Sequence, residues 1–352
     1  MPAESRSPSP PSARILLVDD PRFELHASAE EHPERPQRLH AARAALNAAV
    51  RAGIAAGRVI PRTASDAELI RVHDARFLDE LGTLRGRSAY LDPDTYVSAQ
   101  SVDVARLAAG SLVALIDQLI DGEVPKGVAL LRPPGHHARP SQAMGFCLLN
   151  NVAVAAAHAR ARGLERVAIV DWDVHHGNGT QEIFWRDPNV LYLSTHQYPF
   201  YPGTGAAEER GEGDGTGFTV NVPLAAFRGD AVYASAFERV ILPIVEEYRP
   251  ELVLISAGFD AALRDPLAQM ELSAGAFGWM AQSLARVANH HAKGRLALVL
   301  EGGYDLPSLE EGLQSAVTGM VLEDAPELRR ANDDAGVARA AQAAKRAWPV
   351  VS

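Results

Sequence analysis

Cysteine is almost absent. Cys147 is the only one in 352 residues, so no disulfide can form within the chain, and a reducing, cytoplasmic setting is expected. The N-terminus, MPAESRSPSPPSAR, carries Pro and Ser where a secretory leader would carry its apolar run, and no stretch reaches the length of a membrane span. Residues 1–12 therefore read as a disordered tail on a protein with no membrane association. Basic charge is also short. Against 44 Asp and Glu there are 34 Lys and Arg, a net charge of −10, with a pI near 5.7. Such a surface repels phosphate backbones and offers no general footprint for nucleic acid. There is no complete G-x-G-x-x-G after a strand, no Walker A, no H-E-x-x-H and no G-x-S-x-G. Nucleotide cofactors and a serine nucleophile are disfavoured accordingly.

The chain does have ample apolar material, at 47% of residues. Near-continuous aliphatic runs at Ile15–Val18, Val128–Leu131, Val167–Val170, Val190–Leu193, Leu252–Ile255 and Leu296–Leu300 read as strands buried on both faces. Between them lie helical patterns at Arg38–Ala55, Ala99–Ile120, Val152–Ala161, Ala231–Tyr248, Ala274–His291 and Pro307–Leu322. Ser65 and Glu68 form a capping-box signature. This alternation implies an α/β fold with a parallel sheet covered on both faces. With no repeat and no interior linker, one domain over 13–322 is expected, followed by a surface helix and tail over 323–352. Gly203–Gly217 reads as a mobile loop.

Polar chemistry falls at the carboxyl ends of five of these strands: Arg132–His137, Asp171–His176, Ser194–His196, Ser256–Asp260 and Glu301–Tyr304. In open α/β sheets the loops converge there. Asp173 and His175 stand two apart, so their side chains share a side, and Asp260 on another strand can complete a carboxylate–imidazole–carboxylate set with an open position, the donor set of a catalytic Zn²⁺. The ordinary alternative is that each Asp is a cap or turn former. His136 and His137 follow a stiff Pro-Pro-Gly and suit proton transfer near neutral pH, against the plainer reading of one core and one exposed histidine. Tyr304 can donate to an oxyanion, with Gly302 and Gly303 allowing close backbone approach; alone, it is as readily a packing residue.

Taken in order, His32-Pro-Glu-Arg-Pro-Gln-Arg38, RPPGHHA (132–138), Met144–Asn151, DWDVHHGNGTQ (171–181), Tyr201–Gly205, SAGFDA with Asp265-Pro266, and EGGYD ending at Asp305 resemble the zinc-dependent histone deacetylase family of the arginase–deacetylase fold. The likeness is to class II in particular, along with the bacterial deacetylase-like amidohydrolases. It implies a single-domain fold with a parallel sheet of about eight strands. Asp173, His175 and Asp260 match the zinc ligands; His136 and His137 match the histidine pair, the second as general base and acid. Asp171 matches the carboxylate partner of the first histidine and Asn178 the partner of the second, where class I members have Asp. Tyr304 matches the carbonyl-polarising tyrosine, and Gly145, Phe146 and Tyr201 the tunnel wall, with Tyr201 in place of the usual Phe.

The resemblance also implies one or two K⁺ ions. The inner site would use Asp171 and Ser194 with the carbonyls of Asp173, His175 and Thr195; the outer one the carbonyls of Phe184, Asp187, Val190 and Phe218. Asp92 and Asp94 are both candidates for a rim aspartate. Leu267 stands where class II lysine deacetylases commonly have Leu and a polyamine-preferring member has Glu. The implied activity is removal of acetyl or other short acyl groups from lysine side chains of a protein or peptide, with acetylpolyamine hydrolysis as the alternative; oligomers remain open. Arginase-like chemistry needs a second bridged metal, and His176-Gly177 and Phe259 supply no extra carboxylate for it. A non-catalytic acyl-lysine reader should lack a ligand, a histidine or the tyrosine, and none is missing.

Overall fold

The structure, a computed structural model, describes residues 14–323, 325–331 and 333–352; the tail expected over 1–12 lies outside them. Eight strands form one sheet: β1 (Arg14–Val18), β2 (Ala55–Arg58), β3 (Lys126–Ala129), β4 (Val167–Asp171), β5 (Val190–Gln197), β6 (Thr219–Leu224), β7 (Leu252–Ala257) and β8 (Leu296–Leu300). Their order is β2-β1-β3-β8-β7-β4-β5-β6, and every pairing is parallel. From β4 to β8 every strand residue is buried, which explains the continuous aliphatic runs: with helices on both faces there is no solvent side to alternate with.

Two strands escape the aliphatic signal. β2 is four residues, Ala-Ala-Gly-Arg, on an exposed edge; it truncates the helix expected over Arg38–Ala55, which ends at Arg51. β6 mixes Thr, Asn and Pro with its aliphatics. The helix expected over Ala231–Tyr248 is interrupted by a π turn at Phe237–Ile241. Pro243, just inside the following segment, cannot donate into the α ladder, and the register shift accommodates that loss. The capping box at Ser65 forms as expected, with Ser65 N donating to Glu68 at 2.8 Å.

The C-terminal helix, Ala335–Ala344, packs against β6. Val337, Ala340, Ala341 and Trp348 join the main core, and Trp348 Nε1 donates to Gly217 O at 2.7 Å. The Gly203–Gly217 loop is itself tied down, because Glu209 accepts from Gly205 N (3.0 Å) and Ala206 N (3.1 Å). No helix among the described residues is long and apolar enough to cross a membrane.

For function, the strand order matters most. β3, β8, β7, β4 and β5 are consecutive neighbours in the sheet, and these five carry the polar segments after them. Residues as far apart in sequence as 132 and 304 are thereby delivered to one edge.

Candidate active site

The site is a channel of ≈ 240 Å³ at that edge. Its lining includes His136, His137, His175, Gly302 and Tyr304 deep inside, and Asp94, Phe200, Tyr201 and Leu267 towards the mouth. The inner groups are buried, with His136, His137 and Tyr304 at 3%, 4% and 8% exposure, whereas Tyr201 is 38% exposed.

Three donors converge at its floor. Asp173 is held by Gly302 N, which donates to Oδ2 at 2.8 Å; Asp260 is held by Val174 N, which donates to Oδ1 at 2.9 Å. Asp173 Oδ1 also accepts from His175 N at 2.9 Å, and the His175 Nδ1 lies 3.2 Å from Asp173 Oδ1 and 3.2 Å from Asp260 Oδ2. Asp260 Oδ2 is buried with no aligned hydrogen-bond partner, a costly state unless something cationic completes it. A Cβ on Gly258 would strike the Asp173 carboxylate, and one on Gly302 would strike both carboxylates, so the cradle is cut to these side chains. Burial opposes charge on His175, but Asp173 and Asp260 outweigh it and push its pKa up to about 10. A metal cation would take the place of that proton. The donor atoms lie within 4.8 Å of one another, and the set fits one metal ion. A second His/Glu group, Glu246, His290 and His291, is on the surface, beside the segments that lead into β7 and β8 at the far end of the sheet.

The paired histidines are oriented oppositely in charge. His136 Nδ1 donates to Asp171 Oδ2 at 3.0 Å, which also accepts from Tyr192 OH at 3.2 Å. Burial disfavours its protonation, yet Asp171 and Asp173 prevail and push its pKa up to about 10. His137 Nδ1 pairs with Asn178 Oδ1 at 2.8 Å; burial, with His136 and His175 beside it, holds its pKa well below the ordinary value. Gly145, at φ +57°, lies so close to the His137 ring that a Cβ would collide with it. Burial pushes the Tyr304 phenol well above its ordinary pKa, so it stays a donor.

Several site residues carry no individual signal in the sequence. Glu301 is fully buried and accepts from Gly135 N (2.7 Å), His136 N (3.2 Å) and Ser256 Oγ (3.1 Å), fixing the histidine loop; burial raises its pKa to about 7. Asp265 accepts from Tyr304 N at 2.6 Å and Leu267 N at 3.0 Å, setting the tyrosine and the rim together. Phe200 stacks on His175 with centroids 5.5 Å apart. Arg38 donates to Gly303 O at 2.6 Å and lies 5.0 Å over the Tyr304 ring. Gly303 therefore serves the site through its carbonyl, and Gly302 is the glycine in the channel wall. Of the two rim candidates, Asp94 lines the channel. Asp92 instead closes the turn, with Oδ1 accepting from Asp94 N (3.1 Å) and Thr95 N (2.6 Å). Burial and then Asp92 raise the Asp94 pKa to about 6.

Beneath the site, Glu34 bridges the two arginines that brace it, accepting from Arg132 Nη2 at 2.7 Å and Arg38 Nη1 at 3.1 Å. Burial pushes its carboxyl up, but Arg132 and its neighbours win and hold it well below the usual range. A depressed folded pKa contributes stability that is present above the ordinary value of 4.5 and lost as pH falls below it. Glu34→Gln should therefore cost more stability at about pH 7 than at about pH 3 in urea melts. An equal loss at both would show that its charge is not what stabilises.

Fold and donor set together define the arginase–deacetylase architecture. Residues 32–320 match the family model described as the histone deacetylase domain. The chain is 44% identical over 282 residues to the histone deacetylase-like amidohydrolase of Pseudomonas aeruginosa, covering 76% of this chain and 74% of that one. It is 44% identical to histone deacetylase 15 of Arabidopsis thaliana over 89% of this chain, and 41% identical to human polyamine deacetylase HDAC10 over 90% of it. It spans only 56% and 48% of the length of those two. The crystal structure of the HDA15 HD domain superposes with a TM-score of 0.89 at 39% identity, covering 97% of this chain and 98% of that one. The chain belongs to the histone deacetylase domain family.

Proposed function

We propose that the protein is a zinc-dependent amidohydrolase that removes acetyl or other short acyl groups from lysine side chains. The convergence of Asp173, His175 and Asp260 at the floor of a channel walled by Phe146, Phe200 and Tyr201 carries this reading. Bound there, Zn²⁺ supplies a Lewis acid for the amide carbonyl and acidifies a water. The rest falls to the chain. His137, unprotonated at Nε2 when Nδ1 donates to Asn178, accepts the proton of the attacking water and returns it to the departing amine. His136, charged against Asp171, keeps positive potential beside the developing oxyanion. Tyr304 OH donates to that oxyanion from the opposite wall. The aromatic wall excludes water from an extended lysine stem.

K⁺ belongs to the same reading. One ion is assigned to Asp171, Ser194 and the carbonyls of Asp173, His175 and Thr195, supported by Asp171 and Ser194 being cross-strand partners. A second is assigned to the carbonyls of Phe184, Asp187, Val190 and Phe218. Elemental analysis of purified protein tests both metals, with about one zinc and one or two potassium ions per chain expected. Full activity in a zinc-free sample would overturn the mechanism.

Substrate choice turns on Leu267 in the channel wall. A glutamate there would attract the internal ammonium of an acetylpolyamine; leucine gives apolar contact to a lysine stem instead. Leu267→Glu should shift the kcat/KM ratio towards N⁸-acetylspermidine by roughly tenfold, about 1.4 kcal/mol. The check is a competition between both substrates at fixed ionic strength. A wild type that already favours the polyamine would replace the lysine reading with the polyamine one.

A further inference from the structure

We propose that Met144 is a positioning residue, whose thioether sulfur decides which face of the Asn178 amide meets His137 and so which nitrogen of His137 carries the proton. The proposal rests on the deacylase reading and deepens it. Asn178 Oδ1 stands 2.8 Å from His137 Nδ1. A carbonyl only accepts, so Nδ1 must donate, leaving Nε2 as the free base. An amide, however, has two faces. Turned over, it would present Nδ2–H to His137, Nδ1 would have to accept, and the proton would move to Nε2, where a base is needed. A carboxylate at this position has no wrong face. An asparagine needs a second partner that tells its ends apart.

Met144 supplies that partner. Asn178 Nδ2 lies 3.4 Å from Met144 Sδ, and a thioether accepts but never donates. In the flipped amide, Oδ1 would face the sulfur and two acceptors would oppose each other. Among the described residues no other hydrogen bond to the amide side chain is found besides these two. Asn178 and Met144 border a side cavity of ≈ 510 Å³, where water can both give and accept a hydrogen bond and so satisfies either orientation. The Asn178 backbone N–H is already committed to His176 O at 2.8 Å. The sulfur, by contrast, is anchored: Met144 N donates to Cys147 O (3.1 Å) and Cys147 N to Met144 O (3.0 Å). This small turn also places Gly145 and Phe146 in the channel wall. The bond itself is weak, but its effect is multiplied because it selects a tautomer.

The test is a double-mutant cycle. Met144→Leu keeps the shape and removes the acceptor; Asn178→Asp removes the ambiguity the sulfur resolves. In the native background Met144→Leu should lower kcat roughly 10-fold, the low end for loss of a residue that orients a catalytic histidine, with KM little changed. In the Asn178→Asp background the same change should cost less than about twofold. Nitrogen-15 NMR of histidine-labelled protein supplies a readout independent of turnover. His137 Nδ1 should be the protonated nitrogen in the native chain, and Met144→Leu should shift protonation towards Nε2. An equal kcat loss in both backgrounds would mean that Met144 acts by packing and would overturn the proposal; so would an unchanged tautomer. If the native chain fails to hydrolyse acyl-lysine at all, the deacylase reading falls, while the NMR result still decides the role of Met144.

Discussion

Asp173→Ala and Asp260→Ala should each yield a folded protein that holds no catalytic zinc and has no measurable deacylase activity. Either change leaves two donors where three are needed to retain the metal in water. The loss should exceed the roughly 10–100-fold typical of a missing supporting hydrogen bond, because the donor itself is gone. Replacing Asp173 also strips Gly302 N of its acceptor, and replacing Asp260 strips Val174 N, so both loops at the floor loosen. Zinc content and activity should be measured on the same dialysed sample, with the circular dichroism spectrum as the check on folding. A mutant that retains about one zinc and native turnover would remove that aspartate from the ligand set.

Tyr304→Phe should fold like the native chain and lose roughly 10²–10³-fold in kcat, the usual loss for one oxyanion donor. The ring keeps its neighbours, with Arg38 5.0 Å over its face and Phe146 at 5.8 Å in an edge contact; only the hydroxyl disappears. Because the oxyanion exists only beyond the ground state, KM should move little. Single-turnover kinetics with an acetyl-lysine peptide would isolate the chemical step. A change below about threefold in that step would give Tyr304 a different role.

Most of the fold is legible in the sequence because burial on both faces writes itself as unbroken aliphatic runs, as at Leu252–Ile255 within β7 and Leu296–Leu300 in β8. β2 is illegible for the converse reason: on an exposed edge, Ala-Ala-Gly-Arg is under no demand for apolar side chains. The candidate metal donors and the histidine pair stand out because they cluster at strand ends. The residues that brace them do not, since each acts across a long gap in the chain. Arg38 meets Gly303 265 positions away, and Glu301 meets Gly135 at 166; neither pairing leaves a local pattern. The two rim aspartates show the same limit. The Asp-Pro-Asp sequence announces a turn, but only the structure shows that Asp92 closes it while Asp94, accepting from Thr95 Oγ1 at 3.1 Å, lines the channel.

The position of β8 also bears on how the protein is made. It comes last in chain order of the eight strands of this sheet, yet it lies in the middle, paired with β3 on one side and β7 on the other. Until Leu296–Leu300 has emerged, β3 and β7 have no shared neighbour, and the nascent chain carries two unpaired, apolar strand edges of the kind that invite aggregation. The metal cradle waits on the same event, because Gly302 follows β8 directly and supplies the N–H that fixes Asp173. Any metal the cradle takes up must therefore wait until the chain has been made past residue 302.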